Sequence, residues 1–152
     1  MATDPDTASR RIPASAEVLY DIVSDPARMG DLSPECTGGR WLDGATGPAV
    51  GAKFDGHNRN GDNEWTTQGE IVECVPGERF VFHALARGFH FATWGYQIEP
   101  TENGCRVTET WDDLRPDEII ARGPAISGVE DRTAFNAQSM ATTLERVAAA
   151  VE

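Results

Sequence analysis

Cysteine is scarce in this sequence, and its spacing fits neither a disulfide framework nor a metal site. The 152 residues include three cysteines, Cys36, Cys74 and Cys105, which are far apart and form no Cys-x-x-Cys pair. An odd number of widely spaced cysteines argues against structural disulfides and against a structural zinc site. We therefore expect reduced thiols that pack as small core residues.

Positive charge and long apolar runs are also in short supply. Thirteen Lys and Arg against 25 Asp and Glu give a formal net charge of -12, which repels phosphate backbones and anionic lipid headgroups. No apolar run approaches the ~20 residues that a membrane-spanning helix requires. The N-terminus is polar and has no basic start of a secretory signal. These features predict a cytoplasmic protein that neither binds nucleic acid nor inserts into a membrane.

The short motifs of cofactor-dependent enzymes are missing as well. The sequence contains no P-loop, no dinucleotide-binding fingerprint and no nucleophile elbow. The three histidines, His57, His83 and His90, have no partner at the spacing of metal ligands. We therefore expect neither a metal ion nor a cofactor.

Between two helical regions lies a long region in which apolar and polar residues alternate with a period of two. Residues 1–7 are predicted to be a loose tail and residues 8–12 a first strand, after which Ser15 and Asp25 can each cap a short helix. Alternating residues separated by turn signals then predict six strands, at 38–43, 51–59, 63–74, 79–86, 90–99 and 105–112. Their loops are too short for crossover helices, so neighbouring strands should be antiparallel.

The C-terminal part of the chain predicts a long helix behind a lid. Residues 113–128 contain prolines and glycines and are expected to form a lid with one helical turn near 117–121. Ser127 and Glu130 have the spacing of a capping box. Apolar residues then recur at helical steps, at Ala137, Met140, Leu144, Val147 and Val151. The prediction is a single α+β domain over residues 1–152, in which a curved antiparallel sheet of about seven strands wraps the C-terminal helix.

In each strand, the more apolar set of alternate residues should face that helix. This register places aromatic side chains on the concave face, where Gly56 and Gly69 are expected to leave space beside them. Flat apolar walls with gaps suit a ring system, whereas the plainer interpretation is that these residues fill the core. The predicted ligand-binding residues are Phe54, Trp65, Phe82, Trp94 and Trp111 from the sheet, with Asn136 and Met140 from the helix.

Three polar side chains share the inward register and are the predicted catalytic residues: Asn58, Tyr96 and Glu109. An unpaired buried polar group costs about 1–3 kcal/mol, so each needs a protein or ligand partner. Burial would raise the pKa of Glu109 and make it a proton donor to a carbonyl or a base toward an acidic methylene. Asn58 or Tyr96 could donate to an enolate oxygen. The structural alternative is that Glu109 bonds a neighbouring strand, or the helix at Asn136 or Gln138.

The order of these elements resembles the helix-grip fold of the START lipid-transfer domains and the birch-pollen-allergen-like proteins. Residues 12–36, 41–44, 51–59, 65–67 and 106–111 are similar in sequence to the polyketide cyclase/dehydrase branch of this START-like (SRPBCC) superfamily. The resemblance implies a cavity for a small hydrophobic or aromatic ligand. It implies either acid–base cyclisation and dehydration or a non-catalytic carrier or sensor of a lipid or aromatic metabolite. A partner-binding module with a filled core is a third interpretation, and monomer and homodimer both stay open.

Overall fold

A computed structural model describes residues 5–152 of the chain. Strand β1 (Asp6–Ile12) leads into helix α1 (Ala16–Val23), a 3₁₀ turn (Pro26–Arg28) and helix α2 (Met29–Leu32). Residues 1–4 of the predicted tail lie outside the described residues. Asp6 and Thr7 were expected in that tail, but they pair with Trp111 and Thr110 and so belong to the sheet.

The capping residues expected from the sequence begin the first two helical segments. The side chain of Ser15 accepts a hydrogen bond from the backbone N–H of Val18 at 3.2 Å. Asp25 accepts from the N–H of Ala27 at 3.0 Å, with Pro26 at the first helical position. These caps satisfy N–H groups that a helix start would otherwise leave without a partner.

The predicted seven-stranded antiparallel sheet is confirmed. After β1 its strands are β2 (Cys36–Trp41), β3 (Lys53–Asn60), β4 (Asn63–Val75), β5 (Arg79–Ala86), β6 (Phe89–Thr101) and β7 (Gly104–Asp113). Their order across the sheet is β1-β7-β6-β5-β4-β3-β2. The register shifts between Ile71 and Glu73 on β4 and between Ala84 and Leu85 on β5. Such bulges bend strands and increase their twist, which helps the sheet to curl.

The lid contains more helix than the sequence suggested. Helix α3 (Asp117–Ser127) has 11 residues where a single turn was expected. It ends because Gly128 adopts a left-handed conformation, with φ 74°, and donates its N–H to the carbonyl of Pro124 at 2.8 Å. The side-chain amide of Asn60, at the end of β3, donates to the carbonyl of Ser127 at 2.8 Å. This bond joins the end of α3 to the β3–β4 hairpin.

Helix α4 (Arg132–Ala150) is the long C-terminal helix, but the predicted capping box is wrong. Ser127 is the last residue of α3, so it cannot begin α4 together with Glu130. Asp131 is the cap, and its side chain accepts from the N–H of Ala134 at 3.1 Å. Because α4 contacts β1, β7 and α2, it lies in the curl of the sheet, which gives the expected α+β helix-grip architecture.

The buried face of α4 is more polar than its apolar periodicity suggested. Met140, Leu144 and Val147 are buried as expected, whereas Ala137 is exposed. Three polar side chains share this buried face: Asn136, Ser139 and Thr143. The apolar pattern placed Ala137 on the interior, whereas of the three buried polar residues only Asn136 was predicted to face the ligand site.

Gly69 does not leave the space that was expected beside the aromatic residues. The ring of Phe54, its partner across the β3–β4 pair, lies directly against it, and an added Cβ would overlap this ring. Phe54 is 2% exposed and packs edge-on against Trp41 and Phe82, with ring centroids 5.8 and 5.1 Å apart. The glycine is therefore needed for the packing of a buried aromatic side chain.

We expect Gly69→Ala to lower the free energy of unfolding by about 1–3 kcal/mol, because the new methyl group overpacks the ring of Phe54. Gly56→Ala is the matched control. Its added Cβ would meet only Thr67, at an ordinary 3.6 Å, so its stability should stay within about 0.5 kcal/mol of wild type. Urea unfolding of the three proteins measures both effects. Equal unfolding midpoints would contradict the packing described above.

Candidate functional site

Cross-strand pairing sets the predicted inward residues in rows on the concave face. Phe82, Trp94 and Trp111 are successive partners across β5, β6 and β7, and the rings of Trp94 and Trp111 lie 6.1 Å apart. In the next row Tyr96 lies opposite Glu109 on β7. The concave face therefore joins an aromatic row to a pair of polar side chains.

The predicted site residues fall into an accessible set and a sealed set. Those that keep part of their solvent-accessible surface are Asn58, Trp65, Phe82, Trp94 and Tyr96. Those that are buried are Phe54, Glu109, Trp111, Asn136 and Met140. Because the accessible residues occupy inward positions of the sheet, part of the concave face is open to solvent.

Glu109 forms one hydrogen bond and leaves one carboxyl oxygen unpaired. The hydroxyl of Tyr96 donates to its Oε2 at 3.1 Å. Its Oε1 is closed off from solvent and, among the described residues, has no hydrogen-bond partner. The bond to the neighbouring strand matches the structural alternative, but the alternative bond to the helix is not formed. The amide oxygen of Asn136 accepts from Arg132, and Gln138 donates to Thr142.

Burial sets the protonation of this pair. It raises the pKa of Glu109 to about 8, and the hydrogen bond from Tyr96 opposes that rise. Burial also raises the pKa of Tyr96 well above its ordinary value, with further contributions from the charge and hydrogen bond of Glu109 and from Cys36. Glu109 is therefore a neutral carboxylic acid in neutral solution.

Glu109 lies where two apolar clusters meet. Along β7 its neighbour Val107 belongs to the cluster that contains Leu144, whereas Trp111 belongs to the cluster that contains Met140. Each cluster joins residues of the sheet to α4, and the first also contains residues of α1 and α2. The carboxyl group therefore interrupts the apolar packing midway along the interior.

The structure does not bond Asn58 to Tyr96 or Glu109. Its amide makes only long contacts of 3.4 Å with the carbonyl of Gly56 and the hydroxyl of Thr67. Cys36, its partner on β2, nevertheless contributes to the raised pKa of Tyr96. Tyr96 and Glu109 are therefore joined directly, whereas no hydrogen bond links Asn58 to either of them.

A partly buried ion pair that the sequence did not predict lies at the start of α4. Nη1 of Arg132 donates to both carboxylate oxygens of Glu35 at 2.8 and 2.9 Å and to the amide oxygen of Asn136 at 3.3 Å. Glu35 lies in the loop between α2 and β2. Its partner lies 97 residues away, so no local pattern could have revealed the pair.

A second cation near α4 is also paired. Arg115 donates to both oxygens of Asp113 at 2.8 Å. Burial alone would raise the pKa of Asp113, but the hydrogen bonds from Arg115 outweigh it and lower the pKa. These two arginines and Asp113 line a surface pocket of about 190 Å³ between α3 and the start of α4. A more open pocket of about 320 Å³ lies between α1 and Pro48. Neither pocket is lined by Glu109 or Tyr96.

The histidines lie away from this site. His83 and His90 stack on the outer face of the sheet with centroids 3.6 Å apart, and burial and His83 both lower the pKa of His90. Within residues 5–152 no group of three His, Cys, Asp or Glu side chains is placed to hold a metal ion. None of the helices in that range combines the length and apolar character needed to cross a bilayer.

A curved sheet that grips a helix over an aromatic wall and a buried carboxyl group defines a protein of the helix-grip, START-like class. The chain belongs to the polyketide cyclase / dehydrase and lipid transport family, whose model matches residues 7–152. No curated protein matches its sequence.

Solved structures share the same fold. The chain is 28% identical to the Polyketide_cyc-like protein Cgl2372 from Corynebacterium glutamicum, with a TM-score of 0.57 over 99% of this chain and 91% of that one. It is 14% identical to the di-domain ARO/CYC StfQ from the steffimycin biosynthetic pathway, with a TM-score of 0.72 over 97% of this chain and 50% of StfQ. Ginseng major latex-like protein 151 from Panax ginseng is 16% identical, with a TM-score of 0.72 and 95% of each chain covered. The last two similarities show the fold alone.

The raised pKa of Glu109 predicts a pH-dependent stability. Between the ordinary value near 4.5 and about 8, the folded state holds a proton that the unfolded state has lost. The free energy of unfolding should therefore fall with rising pH in this window, with a contribution from Glu109 that approaches about 1.4 kcal/mol per pH unit. Above pH 8 this contribution levels off because both states are ionised.

Glu109→Gln should remove this dependence, whereas Glu64→Gln, a change on the exposed surface of β4, should keep it. Urea unfolding from pH 5 to pH 9 measures all three proteins. Each of them contains the stacked histidines, so any pH dependence that these histidines contribute is common to the three curves. If the curves of wild type and Glu109→Gln run parallel, the carboxyl group is not neutral in the folded state.

Proposed function

We propose that the chain binds a small hydrophobic or aromatic, polyketide-like molecule between the sheet and α4. The observation that carries this proposal is the buried carboxyl group of Glu109, whose Oε1 has no partner among the described residues. A buried polar atom without a partner costs about 1–3 kcal/mol, and a ligand atom can supply the missing bond. The membership of the family described above supports ligand binding.

The accessible part of the concave wall supports the same proposal. Phe82 and Trp94 are cross-strand neighbours with surface that a ligand ring can cover, and Trp65 and Asn58 line the hairpin end of β3 and β4. Large apolar side chains with a few polar groups are typical of small-molecule sites. In this proposal Phe54, Trp111 and Met140 form the packed back wall of the site. Asn136 accepts a hydrogen bond from Arg132 at the start of α4.

A panel of apolar and aromatic ligands should raise the melting temperature of the protein, because a ligand that binds only the folded state adds to its stability. Trp94→Ala should weaken the binding of any ligand found this way by about tenfold, since it removes a large contact surface. Calorimetric titration at a temperature where circular dichroism shows a folded variant measures this loss.

Phe89→Ala is the matched control, because Phe89 is 47% exposed at the β5–β6 hairpin, outside the concave face. Its affinity should stay within about twofold of wild type. If no member of the panel changes the melting temperature, the binding proposal fails. If the two variants lose affinity equally, the ligand binds somewhere else.

The neutral state of Glu109 favours a catalytic form of this proposal, as a polyketide cyclase, aromatase or dehydratase. A neutral carboxyl group can give its proton to a ketone oxygen. The carboxylate that remains can take a proton from the carbon beside that ketone, which forms an enol and restores the carboxyl group. Enol formation is the first step of aldol-type ring closure. Tyr96 holds the carboxyl group through Oε2 during these transfers.

Deuterium exchange separates the enzyme from a carrier. If Glu109 performs these transfers, wild type should speed the exchange of hydrogen beside the carbonyl of a bound aromatic ketone by about a hundredfold or more, and Glu109→Gln should lose this effect. Binding of the ketone, measured in parallel, should survive in the variant. An uncatalysed exchange rate with bound ketone would support the alternative of a non-catalytic carrier or sensor of a lipid or aromatic metabolite.

The cytoplasmic location, the single domain, and the monomeric or homodimeric state stay predictions from the sequence. The absence of nucleic-acid binding also stays a prediction, which the net charge of -12 supports.

A further inference from the structure

The two oxygens of the Glu109 carboxyl group have different surroundings. Oε2 accepts the hydroxyl hydrogen of Tyr96 at 3.1 Å, while Oε1 has no partner among the described residues. A carboxylic acid has one carbonyl-type oxygen and one hydroxyl oxygen, and the carbonyl-type oxygen is the better acceptor. The bond from Tyr96 therefore places the carbonyl character on Oε2 and the acid proton on Oε1. The unpaired atom is a hydrogen-bond donor.

Few charged groups face this carboxyl group. Tyr96 on β6 bonds it, Ala8 on β1 lies opposite it, and Cys36 on β2 contributes to the raised pKa of Tyr96. On α4, Arg132 is paired with Glu35, and Arg146 donates to the carbonyl of Leu32. On β1, Arg10 lies opposite Val107 and is exposed to solvent. In the described stretch from Phe54 to Trp111, the inward positions of β3 to β7 hold no lysine or arginine. An anionic ligand would find no free cation there, so a neutral ligand is favoured.

We propose that Oε1 of Glu109 selects the ligand by hydrogen-bond polarity: it donates to the acceptor oxygen of a neutral ketone, and after deprotonation it accepts from a hydroxyl group instead. This proposal rests on the proposed function and names the chemical class of its ligand. Because Oε1 is sealed from solvent, a neighbouring side chain must shift before a ligand can reach it. The ionisation of Glu109 near pH 8 sets the pH at which the preference changes.

Probes that share one carbon skeleton test this polarity. Fluorenone has an acceptor oxygen, fluorenol has a hydroxyl group, and fluorene has neither; indanone, indanol and indane repeat the comparison at a smaller size. At pH 6 we expect wild type to bind each ketone about three- to tenfold more tightly than its hydrocarbon, the usual strength of one hydrogen bond. At pH 9.5 this preference should disappear and the alcohol should bind more tightly than the ketone.

Two variants isolate the contribution of Oε1. Glu109→Gln keeps an N–H donor that does not titrate, so its preference for the ketone should persist at both pH values. Glu109→Leu has no donor and should bind ketone and hydrocarbon equally, while it still binds the hydrocarbon and stays folded by circular dichroism. The affinity for the hydrocarbon at each pH corrects for any general effect of pH on the interior.

The affinities, measured by quenching of tryptophan fluorescence and confirmed by calorimetry, separate the outcomes. Equal binding of ketone, alcohol and hydrocarbon by wild type at both pH values would overturn the polarity proposal and leave the binding function intact. A ketone preference that Glu109→Leu retains would also overturn it, because another atom would then be the donor. Failure of wild type to bind any of the six probes would overturn the proposed function together with this inference.

Discussion

A carboxyl group buried between two apolar clusters must be protonated, hydrogen-bonded or both, and the concave face is arranged around this constraint. Glu109 is 5% exposed, with Val107 and Trp111 on either side of it along β7. Tyr96 satisfies one oxygen, and burial keeps the proton on the group in neutral solution. One donor remains without a partner. Simple core packing would not need a carboxyl group at this position, since an apolar residue of similar size would avoid the cost.

The fold could be predicted from the sequence because its signals are local. On β7, Cys105, Val107 and Trp111 alternate with polar residues, and this period of two fixes which side chains point inward. Glu109 follows the same alternation, so its burial could be predicted although it is charged in ordinary solution. The glycine-containing turns set the strand order, and the caps at Ser15 and Asp25 set the helix starts.

The details that were missed depend on contacts between distant residues. Nothing local to Gly69 shows that Phe54 fills its space, because that contact depends on the β3–β4 register. The ion pair of Glu35 with Arg132 joins residues 97 positions apart. The polar interior face of α4 was only partly predicted, since Ser139 and Thr143 give no apolar signal. Which predicted residues keep accessible surface depends on how tightly the sheet curls, and period two carries no information about curl.

The ion pairs near the start of α4 explain why ligand recognition between the sheet and α4 should depend on hydrogen-bond polarity more than on charge. Arg132 and Arg115 line one pocket at the start of α4, and each is paired with a carboxylate at 2.8 Å. Held in these pairs, they are not free to compensate an anion in the interior. The remaining polarity of the interior then comes from neutral groups, of which Glu109 alone has a buried oxygen without a partner in the described chain. A neutral polar group distinguishes ligands by donating or accepting a hydrogen bond. The position of one proton on Glu109 therefore decides which ligand is preferred.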